Sequence, residues 1–223
     1  MTQAVIFDLD GTLLNTLGDL TAAVNHGLSA HGLPTRTEAE VRTFVGDGVK
    51  ELIARSCPAD AEEATKEAVL AAYLPYYAAH NMDLTAPYAG LLDLLTDLRQ
   101  RGVKTAVVSN KHDAGTQALC AHYFDGLLDL AVGGGNVRPL KPAPDSLLYA
   151  IAQLGVDPNH VWYVGDSVQD VLTARNAGVK CAAVTWGFQD AHRLMAEHPT
   201  ALANHAEELR KILLSDENPC ISH

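Results

Sequence analysis

Four short segments of the chain carry residue types that could act on a phosphoryl group. The first is Asp8-Leu9-Asp10-Gly11-Thr12-Leu13, in which two acids stand one residue apart just past an apolar run. In an extended chain residues two apart share a face. Two carboxylates that close repel each other unless a cation or a proton intervenes. Gly11 permits a sharp turn there, and the plain alternative is that Asp10-Gly11 is turn chemistry and nothing more. The second segment, Val107-Val108-Ser109-Asn110-Lys111, offers a hydroxyl and an amide able to donate to a phosphate oxygen. Lys111 either faces the substrate or, more simply, reads as a solvated surface lysine, and Asp113 reads as the N-cap of a following helix. In the third, Leu140-Lys141-Pro142-Ala143-Pro144-Asp145, two prolines stiffen the loop and the second can open a helix. Lys141 is thereby a fixed positive charge for a phosphoryl group. The fourth, Val164-Gly165-Asp166-Ser167-Val168-Gln169-Asp170, places two acids four residues apart, one helical turn, on one side. Carboxylates suit a hard cation such as Mg²⁺; the plain role for Asp170 is a helix-start acid.

Each segment follows an apolar run short enough to be a strand. Strands are expected at 3–7, 104–109, 128–132, 160–165 and 180–185, with helices at 91–101, 113–121, 144–154, 168–177 and 206–214. Alternation of this kind predicts βαβ units and a parallel sheet with both faces covered. The four segments would then converge on the carboxyl edge of the sheet, where doubly wound folds bind ligands.

Residues 16–86 break the rhythm: helix-favouring Ala, Glu and Lys dominate, Pro34 and Pro58 punctuate, and no strand pattern is found. The expected architecture is a doubly wound, Rossmann-like α/β fold, with a small α-helical cap inserted after strand one. The core would comprise 1–15 and 87–223, the cap 16–86, and Pro87-Tyr88-Ala89-Gly90 the return hinge. An insert at that position would lie over the site as a lid.

The bulk composition narrows the function. A formal net charge of −11 argues against non-specific binding to nucleic acid or an anionic membrane. It also requires that any anionic substrate find positive charge locally. The start of the chain lacks a basic, apolar leader pattern, and no apolar run reaches the ~20 residues of a membrane helix, so a cytoplasmic location is expected. Cys57, Cys120, Cys181 and Cys220 are widely spaced and read as reduced thiols. The ten histidines show no zinc spacing; His26, His80, His122 and His160 read as structural or exposed, and 215–223 as a polar tail.

Taken together, Asp8-x-Asp10-Gly11-Thr12, Ser109, Lys141 and Gly165-Asp166-x-x-x-Asp170 resemble, in order and type, the four motifs of the haloacid-dehalogenase-like hydrolase superfamily. The helical insert resembles its small cap. Tyr88-Ala89-Gly90, Ser109-Asn110-Lys111, Ala174-Arg175-Asn176-Ala177-Gly178, Thr185-Trp186-Gly187-Phe188 and Val45-Gly46-Asp47-Gly48 resemble its phosphoglycolate phosphatase branch. The resemblance implies Asp8 as nucleophile and Asp10 as general acid and base. Mg²⁺ would be held by Asp8, Asp166 and the Asp10 carbonyl, with Asp170 orienting metal-bound water. Ser109, Asn110 and Lys141 would hold the phosphoryl oxygens.

The expected substrate is a small phosphorylated metabolite, with 2-phosphoglycolate first. Gly46 and Gly48 would let the backbone approach it, and the start of the helix after them suits an anion. Arg42 and Lys50 could add positive charge, while Asp47 reads as the helix N-cap. A phosphosugar mutase keeps both acids and stays open as an alternative. An acid at position 10 disfavours phosphonate and haloacid cleavage. A receiver domain would be about half as long, and a non-catalytic scaffold would have lost a catalytic residue.

Overall fold

The computed structural model describes residues 1–135 and 138–215. Six strands form one parallel sheet: β1 (Ala4–Phe7), β4 (Lys104–His112), β5 (Leu130–Gly134), β6 (Val161–Gly165), β7 (Lys180–Val184) and β8 (Ala201–Ala203). Their order is β5-β4-β1-β6-β7-β8, so the chain winds outward one way from β1 and then the other. The reversal lies between β1 and β6, and the crevice at such a switch point is the binding position of this class of sheet.

Period-two alternation explains why both faces are covered. Val5 and Phe7 of β1, Val107 of β4, and Trp162 and Val164 of β6 face one apolar cluster. That cluster is completed by α5 (Leu91–Gln100), α6 (Asp113–Tyr123) and α10 (Ala206–Leu214). Ala4, Ile6, Val108, Val161 and Tyr163 face the other cluster, completed by α7 (Asp145–Leu154), α8 (Val168–Ala177) and α9 (Ala191–Ala196).

Between β1 and β4 the chain forms α1 (Leu17–Ala30), α2 (Glu38–Phe44), α3 (Val49–Ser56) and α4 (Glu63–His80). These helices bury a third cluster of their own, including Leu20, Val24, Val41, Ile53, Val69 and Tyr73. Two short strands, β2 (Leu14–Asn15) and β3 (Ala86–Pro87), pair antiparallel where the helices leave and rejoin the sheet. The junction is tied on both sides. Asp19, buried in the first turn of α1, accepts from Leu84 N (2.9 Å), Thr85 N (2.9 Å) and Thr85 Oγ1 (2.7 Å). Tyr123 of α6 donates to Thr85 O at 2.7 Å.

The structure extends the sequence reading at several boundaries. β4 runs three residues past the expected 109, carrying Lys111 as part of the strand. β8 and α9 were not expected, and β2 and β3 bracket the strand-free stretch. Asp113 is the first helical residue and His112 the cap, because the Asp113 carboxylate accepts instead from Gly133 N at 2.9 Å. Cys57, Cys120 and Cys181 are buried free thiols. Cys220 and all of the 215–223 tail except Ser215 lie outside the described residues. Among the described residues no helix is long and apolar enough to cross a membrane.

Candidate active site

Strand ends deliver the site. β1 ends at Phe7, and Asp8 N continues its ladder to Val164 O at 2.8 Å, which fixes the Asp8 side chain at the switch point. The chain then turns sharply at Gly11, which has φ of 83°. A Cβ on Gly11 would stand 2.4 Å from Asp166 Oδ2, so only glycine lets this turn lie against the tip of β6. Thr12 Oγ1 donates to Asp166 Oδ1 at 3.0 Å, which joins the first and fourth segments directly.

Asp8, Asp166 and Asp170 are all buried, and each offers a carboxylate oxygen within 4.8 Å of the others. Lys141 Nζ reaches in from the third segment, 2.7 Å from Asp170 Oδ1 and 2.8 Å from Asp8 Oδ1. Its contact with Asp8 is close enough for an ion pair but is not aligned as a hydrogen bond, so Asp8 Oδ1 is a buried oxygen without a directed donor. Three ionised carboxylates against one ammonium would leave two negative charges uncompensated in a buried space.

The titration behaviour of the groups reflects that imbalance. Burial raises the Asp8 carboxyl to about 7; Lys141 opposes the rise and Asp170 adds to it. Burial, then the charges of Asp170 and Asp8, raises Asp166 to about 8. Burial would lower Lys141, but Asp170 and Asp8 outweigh it and hold the ammonium charged. A divalent cation is the chemical complement of this set: all-oxygen donors, excess negative charge and one directed lone pair free. Asp170 is the most committed of the three. It also accepts from Tyr163 Oη at 3.1 Å and from Ser167 N and Oγ at 3.0 and 2.5 Å.

Of the remaining expected residues, Ser109 and Asn110 lie buried in the carboxyl-terminal part of β4. Asn110 works as a bracket. Its Oδ1 accepts from Lys141 N at 2.7 Å, and its Nδ2 donates to Lys141 O at 3.2 Å and Gly46 O at 3.0 Å. That last bond brings the Gly46–Gly48 loop to the site, and both glycines hold positive φ, 131° and 87°. Asp8, Asp10, Ser109, Asn110, Lys141, Asp166, Gly46 and Gly48 line one cavity of about 300 Å³ between the sheet edge and the helices above it.

Three expectations need correction. Lys111 is not a solvated lysine: its Nζ lies 2.9 and 3.0 Å from the two oxygens of Asp10 and 4.8 Å from the centre of the Tyr77 ring. Burial would lower its pKa, but Asp10 outweighs burial and keeps it charged. Asp47 is not the N-cap of α3, a position held by Gly48; it accepts from Arg55 at 2.6 Å and from Gln169 of α8 at 2.6 Å. Arg42 adds no free charge to the cavity, because its guanidinium donates to the carbonyls of Gly187 and Phe188 at 2.8 Å each. Lys50 is exposed and does not line the cavity. Tyr73, Tyr77 and Phe188 also wall the cavity; the sequence marks only Phe188, and only within the resembling segment Thr185-Trp186-Gly187-Phe188. The i, i+4 spacing of Tyr73 and Tyr77 on a helix was the available signal for the first two.

Such a site belongs to enzymes that move phosphoryl groups on a doubly wound sheet. Comparison with known proteins agrees. A model of the haloacid dehalogenase-like hydrolase family matches residues 5–184. Phosphoglycolate phosphatase 1 of Pseudomonas aeruginosa is 33% identical, covering 98% of this chain and 85% of that protein. N-acetylmuramic acid 6-phosphate phosphatase of the same organism is 34% identical over 83% of each chain. A crystal structure from Lactobacillus delbrueckii subsp. bulgaricus superposes with a TM-score of 0.92 at 35% identity, covering 97% of this chain and 100% of that one. The chain belongs to the haloacid dehalogenase-like hydrolase family, and within it is a phosphatase, a phosphoric monoester hydrolase.

Proposed function

We propose that this phosphatase depends on Mg²⁺ and works through a phosphoryl-aspartate on Asp8, with 2-phosphoglycolate as the first substrate to test. The observation that carries the mechanism is Asp8 itself: a buried carboxylate at the switch point, facing the cavity, with one oxygen that pairs with the Lys141 ammonium but accepts no aligned hydrogen bond. Asp8, Asp166 and the Asp10 carbonyl would hold the cation, and Asp170 would orient its water. Bound there, Mg²⁺ supplies charge neutralisation between two anions and a fixed in-line geometry.

Asp8 Oδ attacks phosphorus, a bond forms between them, and the ester oxygen leaves with a proton from Asp10. Asp10, now a carboxylate, takes a proton from water. The hydroxide attacks phosphorus and phosphate departs, restoring Asp8. Lys141 holds charge on the transferring oxygens, with Ser109 of β4 as a further donor. In this arrangement Asn110 contributes by fixing the backbone of Lys141 and of Gly46. The helices between residues 16 and 86 act as a cap that excludes water, and the core comprises 1–15 and 87–223.

The phosphoglycolate reading draws on the relatives so named. A sugar phosphate is the second reading, drawn from the relative named N-acetylmuramic acid 6-phosphate phosphatase and from the lack of an unpaired lysine among the described residues of the cavity walls. Above the carboxylates these are Val45, Val49, Leu52, Tyr73, Leu74 and Tyr77, and both lysines that line the cavity are already paired with aspartates. A glycolate carboxylate would have to compete for one of them. Values of kcat/KM for 2-phosphoglycolate, sugar 6-phosphates, nucleoside monophosphates and pyrophosphate decide between the two. A tenfold advantage for any rival, about 1.4 kcal/mol in transition-state binding, overturns 2-phosphoglycolate. Transfer of label between sugar phosphates would reveal a mutase.

A further inference from the structure

Phe188 belongs to the loop after β7, yet its side chain is buried among Leu17, Leu20, Val41 and Tyr77 of the helical segment. Its backbone faces the other way. Phe188 N donates to Asp166 Oδ2 at 2.6 Å. The preceding peptide lies so close that a Cβ on Gly187 would stand 2.2 Å from Asp166 Cβ. From above, Arg42 of α2 grips the same peptides, Nε on Phe188 O and Nη2 on Gly187 O, at 2.8 Å each. A planar guanidinium donating to two successive carbonyls fixes both position and tilt, which a single ammonium cannot. Of the two Asp166 oxygens, Oδ1 is held by Thr12 from the core, and Oδ2 by a peptide that the helical segment holds. A second tether, Asp47 to Gln169, joins helices to core without touching Asp166.

We propose that Arg42 is a positioning residue that transmits the placement of the helical segment to the Asp166 carboxylate through the Gly187–Phe188 peptide. The inference rests on the reading of Asp166 as a metal ligand. When Arg42 is engaged, Asp166 is aimed for the cation; when it withdraws, the loop relaxes and the carboxylate loses one of its two orienting donors.

The test is isothermal titration of Mg²⁺ into the full-length, metal-stripped protein without phosphate, alongside kcat and KM. Arg42→Ala and Arg42→Lys are each expected to weaken Mg²⁺ binding about tenfold, the usual scale for groups that orient a ligand from behind. The direction is diagnostic: merely removing a positive charge near a cation site would tighten binding. Arg42→Lys keeps the charge and loses the fork, and it serves if the alanine variant fails to fold. Asp47→Ala removes the tether to Gln169, which does not touch Asp166, and is expected to leave Mg²⁺ affinity within about twofold. Asp166→Asn should weaken binding, and adding Arg42→Ala to it should cause no further loss. Unchanged affinity in both Arg42 variants, with loss in Asp166→Asn, overturns the coupling alone. Unchanged affinity in Asp166→Asn overturns the metal reading and the coupling together.

Discussion

Lys111 Nζ sits between the two carboxylate oxygens of Asp10, 2.9 Å from one and 3.0 Å from the other, in a part-buried pair whose partners are 101 residues apart in sequence. Thr16 Oγ1 adds a third donor to Asp10 Oδ1 at 2.7 Å. Both oxygens are therefore occupied by donors, and Asp10 can pass a proton to a leaving group only by giving up one of these contacts. Lys111→Met preserves the stem and removes the charge. It removes two of the three contacts that orient Asp10, so it should lower kcat/KM for alkyl phosphates by roughly 10²-fold, the cost of a misplaced reacting group, and lower the Tm by leaving the part-buried Asp10 carboxylate with Thr16 alone. Steady-state kinetics and thermal unfolding measure both; an unaltered rate would show that Lys111 is only structural.

Asp10→Asn should damage both half-reactions unequally. p-Nitrophenolate leaves without much protonation, so the burst with p-nitrophenyl phosphate should fall less than the burst with an alkyl phosphate. Dephosphorylation should be slow for every substrate. Single-turnover kinetics separates the phases, and equal burst losses for good and poor leaving groups would contradict the acid role.

The buried acids also predict how metal and pH act together. Burial and neighbouring charge lift Asp8 from 3.8 to about 7 and Asp166 from 3.8 to about 8. A raised acid binds its proton in the folded state after the unfolded chain has released it. The metal-free protein is therefore favoured below pH about 4 by these groups, and loses that contribution as pH rises toward 7 and 8. A bound cation reverses the preference by stabilising the carboxylates. The difference in Tm between Mg²⁺ and EDTA should grow from pH 6 to pH 8, and binding should release protons. A difference that shrinks over that range would contradict the assignment.

Asp170 gives a prediction at the heart of the cluster. It accepts from Lys141, Tyr163 and Ser167 and is wholly buried. Asp170→Asn should destabilise the protein by about 3 kcal/mol, since it removes one partner of a buried pair. Lys141 is then left with the poorly aligned Asp8 contact alone, and kcat should fall with it. Denaturant unfolding and kcat together check this; a stable, fully active variant would mean that Asp170 neither holds Lys141 nor serves the site.

The parts that were legible in the sequence are those written locally. Apolar runs marked β1, β4, β5, β6 and β7; Asp8 and Asp166 directly follow β1 and β6 and Ser109 lies late in β4, so these could be assigned to one edge from residue types alone, whereas Lys141 stands in the loop between β5 and α7. β8 is three residues and α9 six, too short to show a period. What could not be read is pairing across distance. Lys111 looked exposed because its partner Asp10 lies 101 residues away, in the turn between β1 and β2. Arg42 looked free because its acceptors are backbone carbonyls 145 and 146 residues away, which leave no mark on residue type. Asp47 had the right residue type for a cap, but Arg55 and Gln169 compete successfully for its oxygens.

The central claim is a covalent phosphoryl group on Asp8, and the most direct measurement is to trap it. Enzyme mixed with Mg²⁺ and 2-phosphoglycolate, acid-quenched within the first turnover and reduced with borohydride, converts an acyl phosphate to the alcohol. Peptide mass spectrometry should then find homoserine at position 8, and Asp8→Asn should show neither the product nor turnover. Turnover with no reducible acyl phosphate, or homoserine at another aspartate, would contradict the account.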